Sequence, residues 1–489
     1  MPELILAIDQ GTTGTTALLV DRACRVVAGR TVDVPNHFPA PGLVEHDAEE
    51  LWSSVAAAVT SVLDGVDVSR VAAVGITNQR ETTLLWEAAT GRAVHRAIVW
   101  QDRRTSGRCD ALREAGHEPM IRARTGLLLD PYFSATKAEW LLDRVTGARE
   151  AAAAGALRLG TVESWLVFRL SGGAHVSDVS NASRTLLFDL ERLRWDEELC
   201  ELFQVPARAL PEIVDCSGTV AVTKGAGFLP DGIPIAGLAG DQQAALFGQV
   251  CVVPGMAKCT YGTGAFVLLN AGPKVAVSRH GLLSTVAWRF AGETTYAVEG
   301  SAFVAGAAVQ WLRDGLGLIS SSADVEALAA SVPDSGGVVF VPALVGLGAP
   351  HWRPDARGLL SGLTRGTTRA HIARAVLEGV AHQVADILDA MSDDAGRPLA
   401  ELRVDGGAAR NDLLMQLQCD LLGVPCVRPQ HLETTALGAA FLAGLGIGLW
   451  GSVDELARSW RVERTFTPGG DAAESKEKRG LWADAVRRA

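Results

Sequence analysis

A β-run, a tight Gly/Thr turn and a return β-run occur twice in this chain, and the repetition constrains its fold more than any other feature. Leu4 to Ile8 turns through Asp9-Gln-Gly-Thr-Thr-Gly-Thr-Thr and resumes as Ala17-Leu-Leu-Val. Met256 to Tyr261 turns through Gly262-Thr263-Gly264 and resumes as Phe266-Val-Leu-Leu. At 489 residues the chain exceeds what one core organises. The two hairpins therefore predict two related lobes, 1–252 and 253–489, divided at Val253-Pro254-Gly255. A cleft between lobes is the expected ligand site.

The segments between the hairpins alternate in period, which predicts an α/β fold. Pro234 to Gly240 reads as a strand of small residues, and Asp241-Gln-Gln-Ala-Ala-Leu-Phe-Gly begins like a helix whose N-terminus suits an acid, so that on its own Asp241 could equally be only a cap. Ile372, Val376, Val380, Ile387 and Met391 recur at near-helical spacing. Asn411 precedes Leu413, Leu414, Leu417 and Leu421, a run that stops at Gly423. Ala436 to Trp450, about 15 residues broken by glycines, falls short of the ~20 of a membrane span and reads as a buried, closely packed helix. Gly469 to Lys478 reads as a solvated loop.

Composition removes several function classes. A net charge of -11 argues against a cationic nucleic-acid surface, so an anionic ligand has to be gripped locally. The 8 cysteines are scattered without a CxxC pair and read as reduced, structural thiols of a cytoplasmic protein. The acidic, early-polar N-terminus carries no export signal. No GxxxxGK[ST] is present, and the GxGxxG at Gly446 to Gly451 follows a helix, not a strand, so it reads as a chance match.

Gly/Thr turns let backbone amides approach phosphate oxygens, although each alone is ordinary turn material. Their pairing with Asp9 and Asp241 adds the carboxylates that a phosphate-bound Mg²⁺ requires. Arg80 and Glu81 are adjacent; on a regular strand they would point to opposite faces and mean little, and the plain reading is a surface ion pair.

Ile8-Asp-Gln-Gly-Thr-Thr, Gly75-Ile-Thr-Asn-Gln-Arg-Glu-Thr-Thr, Ala97-Ile-Val-Trp-Gln, Asp130-Pro-Tyr-Phe-Ser, Ala239-Gly-Asp-Gln-Gln-Ala-Ala-Leu-Phe-Gly-Gln, Tyr261-Gly-Thr-Gly and Val404-Asp-Gly-Gly together resemble the glycerol kinases, a group of the FGGY carbohydrate kinases. The resemblance runs nearly end to end. It implies a two-lobed ribonuclease-H-like, actin-type ATPase fold with the active site in the interdomain cleft, ATP and Mg²⁺ as cofactors, and a homo-oligomer, dimer or tetramer. It implies phosphorylation of a small polyol, with Asp241 as base. Arg80, Glu81, Tyr132, Asp241 and Gln242 would contact the polyol, walled by Trp100 and Phe266. Thr12, Thr13, Gly14, Thr16 and Thr263 would serve the phosphates, and Gly306, Gln310, Gly407 and Asn411 the adenosine. Asp9, with Asp241, would serve the metal. Two departures stand out: Thr16 occupies a position usually basic in this group, and Gly14 one usually serine. A sister kinase for a four-carbon polyol or xylulose is the alternative, with a noncatalytic actin-like nucleotide-binding module behind it. The stretch Asn78-Gln-Arg-Glu-Thr argues against xylulose.

Overall fold

The computed structural model describes residues 2–396, 398–470 and 472–489. In the first half, β1 (Leu4–Gln10), β2 (Gly14–Val20) and β3 (Val26–Asp33) form an antiparallel meander. On the other side of β1, β4 (Val71–Asn78) runs parallel to it. Beyond β4, β5 (Ser217–Val222) closes the edge antiparallel to β6 (Pro234–Gly240), which is parallel to β4. The six-stranded order is β5-β6-β4-β1-β2-β3.

The second half repeats this plan. β7 (Ala257–Tyr261) and β8 (Ala265–Gly272) are the hairpin, followed by antiparallel β9 (Leu283–Phe290) and β10 (Glu293–Ala302). β11 (Leu402–Asp405) and β12 (Cys426–Pro429) extend the sheet in parallel, and β13 (Val462–Phe466) closes it antiparallel. The order is β9-β10-β8-β7-β11-β12-β13. In each sheet the hairpin's first strand is central, with antiparallel partners on one side and parallel ones on the other.

This topology dictates where chemistry can sit, because ligands of such sheets gather at the carboxyl ends of the parallel strands. β4 ends at Asn78, just before Arg80 and Glu81. β6 ends at Gly240, just before Asp241. β11 ends at Asp405, just before Gly406 and Gly407.

Helices form where the apolar spacing predicts them. α1 (Ala48–Val62) packs on the first sheet. α2 (Asp241–Gly248) follows β6. α3 (Arg369–Ala395) starts at a capping box between Thr368 and His371. α4 (Asp412–Leu422) is capped by the Asn411 side chain and stops at Gly423, whose φ is 67°. α5 (Thr434–Gly446) is the buried glycine-containing helix. α6 (Ala472–Arg488) corrects the loop expected over 469–478: from Ala472 the chain is helical, and it buries Trp482, Ala485 and Val486 in a small apolar cluster with Val341 and Ala343. Asp471 lies outside the described residues. Long charged stems hid the apolar stripe, which begins only after Lys478. All eight cysteines are free and buried. No helix among the described residues is long and apolar enough to cross a membrane.

The core does not follow the linear division. α5 comes from the second half yet packs on the first sheet and on α2. Its approach is backbone to backbone: a Cβ on Gly438 would lie 1.8 Å from the Ala244 carbonyl oxygen, and one on Gly75 2.2 Å from that of Ala439. Neither partner is a flexible side chain, so neither can yield cheaply. Gly438→Val is expected to destabilise the protein by about 3 kcal/mol or more, read by urea denaturation. A midpoint equal to that of the wild type would contradict this account of the joint.

Candidate active site

After β4 the chain leaves extended geometry. Glu81 has a φ of 62°, a left-handed conformation that few residues other than glycine adopt. This kink directs Arg80 and Glu81 into the same buried region, with Arg80 Nε 3.8 Å from Glu81 Oε1 and both side chains 1% exposed. The surface ion pair expected from regular strand alternation is therefore absent.

Two residues that sequence reasoning missed complete the cluster. Glu299 of β10 receives both ends of the Arg80 guanidinium, at 2.5 and 3.0 Å. Arg184 donates to Glu81 Oε1 at 2.7 Å and to Glu299 Oε1 at 2.9 Å. Two guanidiniums and two carboxylates thus neutralise one another out of water, three residues coming from the first half and one from the second. Burial pushes the Glu299 carboxyl up, but Arg184 and Arg80 overcome it and hold the group at about 2. Burial wins at Glu81, which stays above the ordinary range despite Arg80 and Arg184. The signal for Glu299 was available: it is the one acid inside the apolar run Tyr296-Ala-Val-Glu-Gly-Ser-Ala. Arg184 carried no comparable mark.

Asp241 opens α2, and the residue capping the helix is Gly240, so the alternative of Asp241 as only a cap is not what the structure has. Its Oδ1 accepts the neighbouring Gln242 amide at 2.7 Å. The same oxygen lies 3.0 Å from Arg80 Nε, close enough for an ion pair, yet the Nε hydrogen makes no aligned hydrogen bond. Arg80 also reaches the Tyr132 hydroxyl at 3.3 Å. Gln242 commits its carbonyl oxygen to the buried Lys258 ammonium at 2.5 Å, so only its NH₂ donors remain for a ligand. Trp100 stands edge-on to Tyr132 and Phe266, with ring centroids 5.6 and 6.2 Å away. The expected polyol residues are thus brought together, with aromatic surface from both halves.

The residues expected at the phosphates are arranged more by backbone. Each hairpin turn closes between glycines: Gly11 N–H donates to Gly14 O, and Gly262 N–H to Gly264 O, each at 2.9 Å. Thr13 and Thr263 are exposed at the turns. The Thr12 hydroxyl accepts Trp100 Nε1 at 2.9 Å, joining the first turn to the aromatic wall. Gly306 N–H donates to Gly262 O at 3.0 Å, and a Cβ on Gly306 would stand 2.6 Å from that oxygen. Gly406 is equally tight against Tyr261 O, whereas Gly407 has open space where a Cβ would be. Gln310 is exposed at the end of a short helix, and Asn411 uses its side chain to cap α4 at 2.8 Å.

Asp9 pairs in register with Thr16 across the first hairpin, so both side chains stand on one face of the sheet. Burial, followed by the negative charges of Asp241 and Glu433, holds the Asp9 carboxyl well above its usual range. Such a group fits a cation. Among the described residues no set of three or more His, Cys, Asp or Glu side chains is arranged to hold a metal. A divalent ion here would rely on one or two carboxylates, completed by phosphate oxygens and water, as Mg²⁺ commonly does.

Residues 4–248 match the N-terminal domain, and residues 257–447 the C-terminal domain, of the FGGY family of carbohydrate kinases. The chain belongs to this family. It is 59% identical over 469 residues to a glycerol kinase of Dechloromonas aromatica, covering 95% of this chain and 93% of that protein. It is likewise 59% identical over 490 residues to one from Aromatoleum aromaticum, covering 99% and 98%. Among solved structures, Plasmodium falciparum glycerol kinase with ADP superposes with a TM-score of 0.92 at 36% identity, covering 99% of this chain and 98% of that one. The two-lobed actin-type fold expected of an FGGY kinase is therefore the fold observed.

In this FGGY kinase, Glu299→Gln leaves two buried guanidiniums undercompensated and should cost about 3 to 5 kcal/mol of stability in chemical denaturation. A cost below about 1 kcal/mol would mean that solvent reaches the cluster. Thr16→Arg places a cation opposite Asp9 and is expected to lower the ATP KM or raise kcat, and steady-state kinetics that change neither would refute the idea.

Proposed function

We infer that the protein transfers the γ-phosphoryl group of ATP to glycerol, giving sn-glycerol 3-phosphate. Relatives named glycerol kinases match it at high identity over almost the whole chain, which favours glycerol over a four-carbon polyol or xylulose. Mg²⁺, when bound, neutralises the phosphate charge that develops during transfer.

The chain's own residues supply the rest. Asp241 takes the proton of the attacking primary hydroxyl; its value as a base lies in position more than in strength. Arg80, Tyr132 and the Gln242 NH₂ group orient the polyol hydroxyls, Glu81 accepts from one of them, and Trp100 with Phe266 covers the carbon edge. The observation that carries this reading is the buried Arg80 Nε–H, 3.0 Å from Asp241 and without an aligned acceptor. An orphaned buried donor beside the proposed base is suited to a substrate oxygen. Thr12, Thr13, Gly14, Thr16 and Thr263 would face the phosphates, Gly306 and Gly407 the nucleoside, and Asp9 the metal with Asp241. By kinship the protein would work in the cytoplasm as a dimer or tetramer.

Asp241→Asn tests the base. Glycerol-dependent ADP release should fall by a factor of about 10² or more, with the melting temperature preserved. Near-wild-type turnover would remove Asp241 from the role. ADP release indifferent to glycerol would favour a nucleotide-binding module instead.

A further inference from the structure

Beneath the polyol side lies a buried polar chain to which neither motif nor mechanism has yet given a role. Lys258 of β7 is fully buried, and its ammonium donates to Gln242 Oε1 at 2.5 Å and to Thr260 Oγ1 at 2.8 Å. Lys258 and Thr260 share one face of β7, two residues apart. Thr260 pairs in register with Asp405 of the adjacent strand, so its side chain lies beside that carboxylate on the same face of the sheet. Asp405 Oδ2 in turn accepts Gln249 Nε2 and the Thr434 hydroxyl, each at 2.7 Å.

The arrangement has a simple mechanical content. Gln242 lies in the first turn of α2 and Gln249 immediately follows its last residue. The Lys258, Thr260 and Asp405 set therefore grips both ends of the helix that begins with Asp241. Thr434 ties the same carboxylate to the start of α5. A buried ammonium and a buried carboxylate are costly to keep away from water, and simpler apolar packing would hold a helix equally well. What the pair adds is direction. An amide carbonyl held by an ammonium cannot flip, so the Gln242 NH₂ group keeps one orientation.

We propose that Lys258 is a positioning residue for phosphoryl transfer: through Gln242, and through Thr260 and Asp405 at the far end of α2, it fixes the polyol-facing amide and the placement of Asp241. The proposal rests on the polyol reading above and adds a residue that touches neither substrate in that scheme.

Lys258→Met removes the ammonium at nearly constant length. It should raise the glycerol KM about tenfold and lower kcat, while the ATP KM stays within about twofold; a lost charged hydrogen bond is of that size. A merely structural lysine would lower the melting temperature and the active fraction, leaving the glycerol KM of the surviving enzyme unchanged. The double variant Lys258→Met, Asp405→Asn removes both charges, and is expected to regain stability without regaining the glycerol KM. Recovery of both would show a simple counterion and overturn the proposal. Should these variants fail to fold, Thr260→Val decides: it keeps every charge and should raise the glycerol KM about threefold, a partial loss of the same support. A glycerol KM within about twofold of wild type in Lys258→Met, or in Thr260→Val where Lys258→Met does not fold, would overturn it. Asp241→Asn assayed alongside keeps the two readings apart. An active Asp241→Asn defeats the polyol reading itself, whereas an inactive one beside an unchanged Lys258→Met defeats only this inference.

Discussion

The cleft depends first on a distance between backbones. α5 lies so close to α2 and to the first sheet that no side chain separates them at Gly438, Gly75 and Gly248. Each glycine in a helix costs roughly 1 kcal/mol of propensity relative to alanine, so the sequence accepts a weaker helix to obtain a closer one. Side-chain packing leaves rotamer freedom, whereas direct backbone contact leaves almost none. The N-terminus of α2, and with it Asp241, is held from behind by a stiff joint that both halves share.

Upon that joint rests the charge cluster of Arg80, Glu81, Arg184 and Glu299. Buried ion pairs contribute little net stability against well-packed apolar residues, so stability alone does not account for four charges in the cleft floor. Geometry does. A guanidinium gripped at both nitrogens by Glu299 has one remaining edge, and Nε on that edge lies beside Asp241. Because Glu299 belongs to β10 and Arg80 follows β4, the orientation of this donor requires both halves to be in place. Site and domain arrangement are therefore one constraint.

Much of this was legible in the sequence, for local reasons. Both hairpins, the helix after Gly240, and the cap and stop of α4 at Asn411 and Gly423 rest on short-range signals, and the structure realises each. The residues expected at the polyol were drawn from resemblance, and only as a set, which the structure brings together. The kink at Glu81 was not, because no propensity predicts a left-handed glutamate. Arg184 and Lys258 were missed for a related reason: each acquires meaning from partners more than ten residues away, Glu81 and Glu299 for one, Gln242 and Asp405 for the other. The α6 helix was misread because its exposed charged turns come first and its buried residues last.

The two sides of the cleft differ in how they are held, and the difference has a physical logic. Glycerol is small and uncharged, so its recognition needs fixed directions, which buried side chains locked by ion pairs, as proposed for this cleft, would supply. A triphosphate is large and highly charged, and amide groups of glycine turns, with a cation, can hold it without such locking. The first hairpin departs from the residues the resemblance leads one to expect at Gly14 and at Thr16, and Thr16 shares a hydroxyl contact of 2.9 Å with Thr31 where a basic side chain was expected. Because Thr16 is the register partner of Asp9, the proposed phosphate side has no basic side chain at that position, and a divalent ion would have to balance its charge. Lys258 stands on the polyol side of that balance. Burial pulls its ammonium below the ordinary lysine range, while Asp405 and Asp241 act to keep it charged. The carboxylates around the cleft are thus answered in different ways: by arginines at the polyol end, by Lys258 beneath α2, and at Asp9 by a site suited to a metal.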